Sequence, residues 1–498
     1  MENPLRKLAG QTAIYGLSTI VGRLLNYLLV PIYTRIFTTE VYGVVGEFYA
    51  YIPFVLVVLI YGMETGFFRF AKDKQNLNKV FSSIMTSLFT TCSIFLILAF
   101  IFKNQIAYII RYSEHPEYII YVAIIVAIDA FISVPFTKLR LLDKAVKFVT
   151  IKLINIALNI ILNLYFLLLC PYIQEINPDS IFLYFYNPDI TVGYIFIANL
   201  IANIVTLILL LPEIFNVKYQ FDQKLLKTIL IYSLPLLIAG FAGMINETLD
   251  RLFIKNILLW QNYELSYAKA QVGIYSANYK LAMLMSLFIQ MFRFAAEPFF
   301  FQNSNKENNR KLFAEASKYF AIFGFAIFLF VILYIDIFKY FIGEDFRDGL
   351  TIVPILLLAN LFLGLFFNLS IWYKLNDMTK YGIYLTLIGA VITIILNLAL
   401  IPFFSYIGAA IATLVCYVAQ TVVSFFWGQK HYKIPYDLKN FFFYFALTAV
   451  LFIINYFVIE NFCKNKILIL SLNTVLMFIY CFIFVKKEKF TAAKLIKK

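Results

Sequence analysis

The segment MINETLDRLF, residues 244–253, carries two acids and one base inside a strongly apolar chain. A long apolar run, ILIYSLPLLIAGFAG, leads into it. An ionised side chain in hydrocarbon costs at least about 2.5–3.5 kcal/mol, so such groups usually pair with one another or serve a function. The chemistry open to Glu247, Asp250 and Arg251 is therefore ion pairing, ion or proton coupling, or recognition of a charged substrate.

Helical spacing shows which of these charges can pair within one helix. Glu247 and Arg251 are four residues apart, and so are Arg293 and Glu297 in FRFAAEPFFF. Residues at i and i+4 share a helix face, so each pair can be neutralised locally. For Arg251, a structural ion pair and a contact with substrate are both open interpretations.

Arg23 and Lys280 differ, because neither has an acid three or four residues away. At about 1.5 Å per residue, both are expected at similar depth in the outer half of the membrane, one in each half of the chain. Arg23 can pair across helices with Glu47. Lys280 can do the same with Asp250. Alternatively, the two cations flank a cleft that takes an anion, since Arg holds phosphate oxygens through two hydrogen bonds. The candidate substrate-binding residues are Arg23, Lys280, Arg251 and Arg293.

Asp129, in IVAIDAFISVPF, is the acid expected nearest the middle of the membrane. It can carry Na⁺ or H⁺, pair with Arg23, or be protonated, which is the usual outcome of burying a carboxyl group in hydrocarbon. The acids of candidate coupling sites or cavity ion pairs are Asp129, Glu47, Glu247, Asp250 and Glu297.

The elements that hold these residues are membrane-spanning helices. The chain has 498 residues, of which 62% are hydrophobic and 14% charged. A helix needs about 20 apolar residues to cross a bilayer. We therefore predict an all-α integral membrane protein, without a soluble domain, whose fourteen spans centre on 10–32, 41–66, 80–102, 117–137, 149–169, 190–211, 229–250, 273–296, 318–338, 350–372, 382–402, 405–427, 440–459 and 466–485.

The net charge of +14 reflects topology rather than nucleic-acid binding. Placing the links alternately, with the N-terminus in the cytoplasm, leaves roughly three times as many Lys and Arg on the cytoplasmic side as on the other, while acids divide nearly evenly. Both termini are therefore expected in the cytoplasm. The two histidines and five cysteines show no catalytic or metal-binding spacing, so we expect no enzyme activity, no metal site and no cofactor.

The chain also resembles itself at a shift of a little over two hundred residues. LLDKAVKFVTIKLINIALNIILNLYF matches LNDMTKYGIYLTLIGAVITIILNLAL, with Asn163 opposite Asn397. Six spans separate the copies, so both run in the same direction, as parallel repeats of a transporter do. We predict an N-terminal lobe at 1–212, a C-terminal lobe at 213–430, and two further spans with a basic tail at 431–498.

The opening stretch GQTAIYGLSTIVGRLLNYLLVPIYTRIFTTEVYGVVGEF resembles the start of polysaccharide and O-antigen flippases of the Wzx type. The stretch QVGIYSANYKLAMLMSLFIQMFRFAAEPFFF is similar to the second half of the same family. These proteins belong to the superfamily of multidrug, oligosaccharidyl-lipid and polysaccharide exporters, which has a MATE-like fold and includes the lipid II flippase.

This resemblance implies a flippase that moves an undecaprenyl-pyrophosphate-linked oligosaccharide from the inner to the outer leaflet by alternating access. It also implies a cationic cavity for the head group, with Arg23 and Arg251 at the positions of the family's basic residues. The spans hold more acids than bases, which departs from that pattern. The alternatives are a cation-coupled multidrug exporter on the same fold, a membrane glycosyltransferase or O-antigen ligase, and a purely structural subunit.

The expected location is the bacterial cytoplasmic membrane. The expected partners are a lipid-linked oligosaccharide and membrane lipids, with no nucleic acid. We expect a monomer that associates with polysaccharide assembly proteins. Coupling to Na⁺ or H⁺ stays open, as does the identity of the sugar.

Overall fold

The computed structural model describes residues 20–22, 24–71, 76–302, 309–376, 378–459 and 465–488. No strand occurs within these ranges, and twelve of the helices in them are long and apolar enough to cross a bilayer. The predicted all-α membrane architecture is therefore confirmed.

The chain divides into two compact units. Unit 1 takes in the chain up to Ser276 together with Asn397–Ser405, and unit 2 comprises Ala277–Leu396 and the chain from Tyr406 onward. The predicted lobes at 1–212 and 213–430 follow from the sequence repeat, and that division stays a prediction.

The central helix of unit 1 is Glu117–Leu141. Its apolar window is 72% buried, against 28% for Leu77–Ile101, so most of its surface contacts other helices rather than lipid. It packs against the helices on either side of it in the chain and against Thr39–Ile60 and Gly193–Phe215. The helices of unit 1 are α1 (Val30–Ile36), α2 (Thr39–Ile60), α3 (Met63–Phe70), α4 (Leu77–Ile101), α5 (Lys103–Ile109), α6 (Glu117–Leu141), α7 (Ala145–Leu164), α8 (Cys170–Ile176), α9 (Gly193–Phe215), α10 (Gln223–Trp260) and the first turns of α11 (Leu265–Gln302).

Two of these helices continue seven or more residues past the predicted C-terminal ends of their spans. The span predicted at 229–250 is part of α10, which has 38 residues and ends at Trp260. The buried side chains Leu252, Ile254, Ile257 and Leu258 continue its apolar face beyond the charged residues. Similarly, the span predicted at 149–169 belongs to a continuous helical stretch, Ala145–Ile176. Hydropathy placed both ends too early because polar residues interrupt an otherwise helical pattern.

Gly62 and a pair of glycines fix how closely helices of unit 1 approach. Gly62, with φ +75, separates α2 from α3, and a Cβ there would lie 2.7 Å from the Ser233 backbone oxygen of α10. Near the start of α2, a Cβ on Gly43 would lie 2.0 Å from the Lys269 backbone oxygen of α11. A Cβ on Gly273 would lie 1.9 Å from the Thr39 oxygen. The backbones of α2 and α11 therefore touch, which small residues permit between membrane helices.

Unit 2 is also helical, and its central helix, Asn309–Leu333, packs against four later helices. Phe313, Phe320, Phe325 and Leu329 on this helix are almost completely buried. The further helices of unit 2 are α12 (Asn309–Leu333), α13 (Ile335–Phe338), α14 (Val353–Leu369), α15 (Ile371–Leu375), α16 (Lys380–His431), α17 (Leu438–Ile453) and α18 (Lys466–Glu488), of which α16 contributes residues 397–405 to unit 1.

The helix α16 accounts for two predicted spans, 382–402 and 405–427. Its 52 residues would measure about 78 Å if straight, more than twice the ~30 Å hydrocarbon core. Ser405, with φ 48 and ψ −131, interrupts the helical backbone near its middle. About half of the predicted first span, 10–32, lies outside the described residues, so the total of fourteen spans stays a prediction.

Candidate functional site

A connected group of polar side chains surrounds Asp129 in the middle of α6. The Asn203 side-chain amide on α9 donates to Asp129 Oδ1 at 3.0 Å. Asn155 on α7 donates in turn to Asn203 Oδ1 at 3.1 Å and to Thr206 Oγ1 at 2.8 Å. Side chains from three helices are thus hydrogen-bonded together at a level where lipid-facing positions are apolar. We call Asp129, Asn155, Asn203, Thr206 and the neighbouring Lys152 the Asp129 network.

Lys152 supplies the positive charge of this network. It attracts Asp129 and Glu64 electrostatically, and its Nζ lies 4.3 Å from the ring centroid of Phe136 on α6. The side chain therefore points toward α6 and not away from the helices into lipid. Lys152 is nevertheless exposed. Because the residue is exposed while its Nζ lies beside α6, we infer a water-accessible cleft within unit 1.

The polar lining continues toward the predicted cytoplasmic ends of the helices. Arg140, near the end of α6, lies 3.5 Å from Glu64 Oε2 on α3 and donates to Thr137 Oγ1 at 3.0 Å. Both side chains of this ion pair are more than one third exposed. Lys152 also experiences the positive charge of Arg140, so the two cations belong to the same stretch of polar side chains.

A second cluster of charges, at the predicted outer end, is fully buried. Lys255 on α10 pairs with Glu47 on α2, and their side chains are 0% and 1% exposed. Lys255 also donates to the Ile110 backbone oxygen at 2.7 Å, and Tyr112 donates to Glu47 Oε2 at 2.7 Å. Burial and the neighbouring Glu47 carboxylate raise the pKa of Tyr112, so its hydroxyl keeps the proton that it donates. This cluster, the Glu47–Lys255 pair with Tyr112, joins α2, α10 and the 102–116 connection.

The charged side chains Asp250 and Arg251 of the 244–253 segment interact with each other and with groups close to them. Asp250 accepts hydrogen bonds from the Tyr275 hydroxyl, from the Arg251 backbone N–H at 2.8 Å and from Arg251 Nη1 at 3.2 Å. Arg251 also donates to the backbone oxygen of Glu247 at 3.2 Å. Glu247 itself is exposed. The Arg251 side chain is 13% exposed and forms an ion pair with Asp250, its neighbour in the chain, whereas the sequence pointed to Glu247.

The other predicted site residues lie elsewhere. Arg293 belongs to unit 2 and stacks over Phe367 at 4.2 Å, and Lys280 is a half-buried residue of α11 in the same unit. Arg23 lies outside the described residues, and so does the side chain of Glu297. A role in substrate binding stays a prediction for Arg23, Lys280 and Arg293, and a role in coupling or in a cavity ion pair stays a prediction for Glu297.

Sequence reasoning missed Lys152, Lys255 and Tyr112. A signal for Lys152 was present, because Lys152, Asn155, Asn159 and Asn163 recur at helical spacing within one predicted span. Lys255 was assigned to a link, although apolar residues at helical spacing surround it. Tyr112 gave no local signal, since its partner Glu47 lies 65 positions away in the sequence.

Comparison with known proteins extends these observations to the whole fold. A protein of the Lsg locus of Haemophilus influenzae is 23% identical over 325 residues, which make up 64% of this chain and 72% of that protein. Among solved structures, the lipid II flippase MurJ in an inward closed conformation matches with a TM-score of 0.73 at 17% identity, over 95% of this chain and 99% of that chain. An inward-facing multidrug resistance MATE family transporter of the MOP superfamily matches with a TM-score of 0.65 at 16% identity, over 82% of this chain and 94% of that chain.

These likenesses establish a fold shared with membrane transporters and confirm the resemblance read from the sequence. The family itself follows from a model described as Polysaccharide biosynthesis protein, which matches residues 8–304. Because that match covers more than half of the chain, this multi-pass membrane protein belongs to the polysaccharide biosynthesis protein family.

Proposed function

We propose that the protein is a flippase that carries an undecaprenyl-pyrophosphate-linked oligosaccharide from the inner to the outer leaflet of the cytoplasmic membrane by alternating access. The observation that carries this proposal is Lys152, an exposed cation that points into the helices of unit 1 at membrane depth. Membership of a polysaccharide biosynthesis family supports a saccharide-bearing substrate.

Lys152 and Arg140 suit an anionic head group entering from the predicted cytoplasmic side. Each has a carboxylate nearby, Asp129 and Glu64, which stabilises the cation while the cleft holds only water. A pyrophosphate can replace these carboxylates as the partner of both cations, since charge-assisted hydrogen bonds to phosphate oxygens are among the strongest in proteins. Both side chains of the Arg140–Glu64 pair are more than one third exposed, so exchanging Glu64 for a phosphate as the partner of Arg140 costs little desolvation.

Unit 2, taken by itself, contains an apolar cleft that suits a hydrocarbon chain. It has a volume of about 520 Å³ and lies between α12, α14, α16 and α17, with Phe362, Phe425 and Phe441 in its walls. Cavities of this size are typical of small-ligand sites. Lys318, at the edge of the cleft, pairs with Glu488 at 2.6 Å, so the cleft offers a hydrocarbon chain a nearly neutral, aromatic surface.

The experiment is flipping of fluorescent lipid-linked oligosaccharide in proteoliposomes. Lys152→Met is expected to lower the initial rate about tenfold or more, because it removes a charge-assisted contact with the anion. Lys152→Arg should retain most of the activity. Lys433→Met, at an exposed position outside the membrane spans, is the matched control and should match the unmodified protein. Full activity of Lys152→Met would contradict the anionic-substrate assignment.

A multidrug exporter is the second candidate, and Asp129 is the feature that favours it. A cationic drug needs an acid without its own counter-ion, whereas Asp129 is already bound by Asn203 and attracted by Lys152. Asp129→Asn separates the two functions. It should leave lipid flipping within about threefold of the unmodified protein, since the amide preserves a hydrogen bond with Asn203. Loss of drug resistance in the same variant would instead favour the exporter.

A further inference from the structure

The polar side chains of α7 form one line along the helix. Asn155, Asn159 and Asn163 are separated by one turn each, and Lys152 lies one turn before them. Asn163 accepts a hydrogen bond from the Tyr33 hydroxyl at 2.8 Å and donates to the Asn159 side-chain oxygen at 2.7 Å. Polar side chains in a membrane helix are costly unless neighbouring groups satisfy them, so the line has a structural or functional cause.

The helix α9 presents matching amides. Asn199 and Asn203 are also one turn apart, and Asn155 donates to Asn203 across the helix pair. The two helices are consecutive spans and run in opposite directions, so moving one turn forward on α7 corresponds to moving one turn back on α9. Asn159 and Asn199 therefore lie at the same level, one turn beyond the Asn155–Asn203 contact.

The members of this group differ in exposure. Asn163 and Asn203 are buried, as expected of side chains that join helices. Asn159 and Asn199 are only half-buried. Asn199 donates to the hydroxyl of Tyr49 at 3.0 Å, and Tyr49 is 37% exposed. The open part of the group thus consists of two amides and a phenol, which we call the amide stripe: Asn159, Asn199 and Tyr49.

We propose that the amide stripe is the subsite for the saccharide of the substrate. This inference rests on the proposed function, because it assumes that the pyrophosphate binds at Lys152. Seven residues separate Lys152 from Asn159, which is about 10 Å along the helix. A head group held at Lys152 would then extend its sugar toward the stripe, deeper in the cleft.

The chemistry of the stripe fits a polyhydroxylated ligand better than an ion. A carboxamide both donates and accepts hydrogen bonds, as a sugar hydroxyl does, and it carries no charge. The Asn199–Tyr49 hydrogen bond closes the stripe when no sugar is present. Its replacement by hydrogen bonds to sugar hydroxyls changes the free energy little per bond, which suits a ligand that must also leave. Tyr49, at 37% exposed, additionally brings an aromatic ring to the stripe.

The test compares two ligands that share a head group. Dissociation constants are measured in lipid nanodiscs for bare undecaprenyl pyrophosphate and for the lipid-linked oligosaccharide extracted from the producing bacterium. Asn159→Leu and Asn199→Leu should each weaken binding of the oligosaccharide-bearing lipid about 2- to 10-fold, the range expected for one hydrogen bond. Binding of the bare pyrophosphate should not change. Lys152→Met should weaken both ligands.

Two further variants guard against a general loss of structure. Asn256→Leu is the matched control, because Asn256 is a half-buried asparagine of α10 that donates to its own helix at Leu252. It should change neither constant. Tyr49→Phe removes only a hydroxyl group and should weaken the oligosaccharide-bearing lipid alone, which keeps the inference testable if the leucine variants fold poorly.

Equal weakening of both ligands by the stripe variants, or no change in either, would overturn the inference. Failure of the proposed function has a different signature, because the unmodified protein would then bind these lipids without flipping them in proteoliposomes. Selective loss of the oligosaccharide-bearing lipid would support the saccharide subsite whichever way the flipping assay turned out.

Discussion

Neither Lys255 nor Glu47 has access to the water that would solvate it alone. Their mutual contact, the Tyr112 hydroxyl and the Ile110 backbone oxygen replace that water. In such surroundings the pair adds little stability relative to apolar residues, whereas removing one partner leaves a buried charge uncompensated. The main effect of the pair on stability is therefore the loss that follows when one partner is removed.

We expect Glu47→Gln alone to lower the free energy of unfolding by about 3–5 kcal/mol, the usual cost of breaking a buried ion pair. The double variant Glu47→Gln with Lys255→Met should recover most of that loss, since it leaves no unpaired charge. Denaturant unfolding of purified protein in detergent measures both values. If the double variant is at least as unstable as the single one, the charges do not act as a pair.

At the scale of helices, the α2–α11 crossing depends on two glycines. Gly43→Ala would place a Cβ 2.0 Å from the backbone oxygen of Lys269, and backbone cannot move aside as a side chain can. We expect a loss of about 1–3 kcal/mol, typical of overpacking, together with separation of the two helices. Thermal unfolding measures the loss.

Gly324→Ala provides the comparison for that prediction. A Cβ at Gly324 would meet the end of the Leu361 side chain at 2.2 Å, which is as close as the contact at Gly43 but with a flexible group. The leucine can change rotamer, so this variant should be clearly more stable than Gly43→Ala. Equal losses would show that side-chain crowding, and not the backbone contact, sets the cost.

The helices themselves were readable from hydropathy, because a bilayer demands long apolar segments whatever the rest of the chain does. The partners of the buried charges could not be predicted from hydropathy. For Arg251 the helical spacing pointed to Glu247, whereas the structure shows an ion pair with the adjacent Asp250. Glu47 was matched with Arg23 as one interpretation, whereas its partner in the structure is Lys255. Such contacts depend on which helices become neighbours, and periodicity along one helix carries no information about that.

On the scale of the whole molecule, the anionic substrate proposed above predicts a response to membrane potential. An inside-negative potential favours outward movement of an anion by about 2.3 kcal/mol per charge per 100 mV. A dianionic pyrophosphate head would gain twice that if it crossed the full field. We expect a potassium diffusion potential, negative on the cytoplasmic side, to increase the outward flipping rate in proteoliposomes at least severalfold.

Reversal of the potential should slow flipping in the same vesicles. A rate that ignores the potential and follows an imposed Na⁺ or H⁺ gradient instead would assign the driving force to ion coupling. Asp129→Asn would then be the first variant to examine, because Asp129 is the candidate carrier of the coupling ion.

The orientation that this prediction assumes follows from the bias of Lys and Arg toward one side of the membrane. Reporter fusions after residue 498 should show a cytoplasmic C-terminus. An exported reporter activity would invert the assignment of inner and outer ends throughout the molecule.

The Glu47–Lys255 pair also has a consequence for biosynthesis. The two residues are 208 positions apart, and ribosomes add about 5–20 residues per second. Glu47 is therefore made roughly 10–40 s before its counter-ion. During that interval the first helices must either keep the carboxyl group protonated or hold it near the lipid head groups. Completion of α10 would then draw α2 into its final position, so the nascent chain reaches its mature packing only after half of it has been translated.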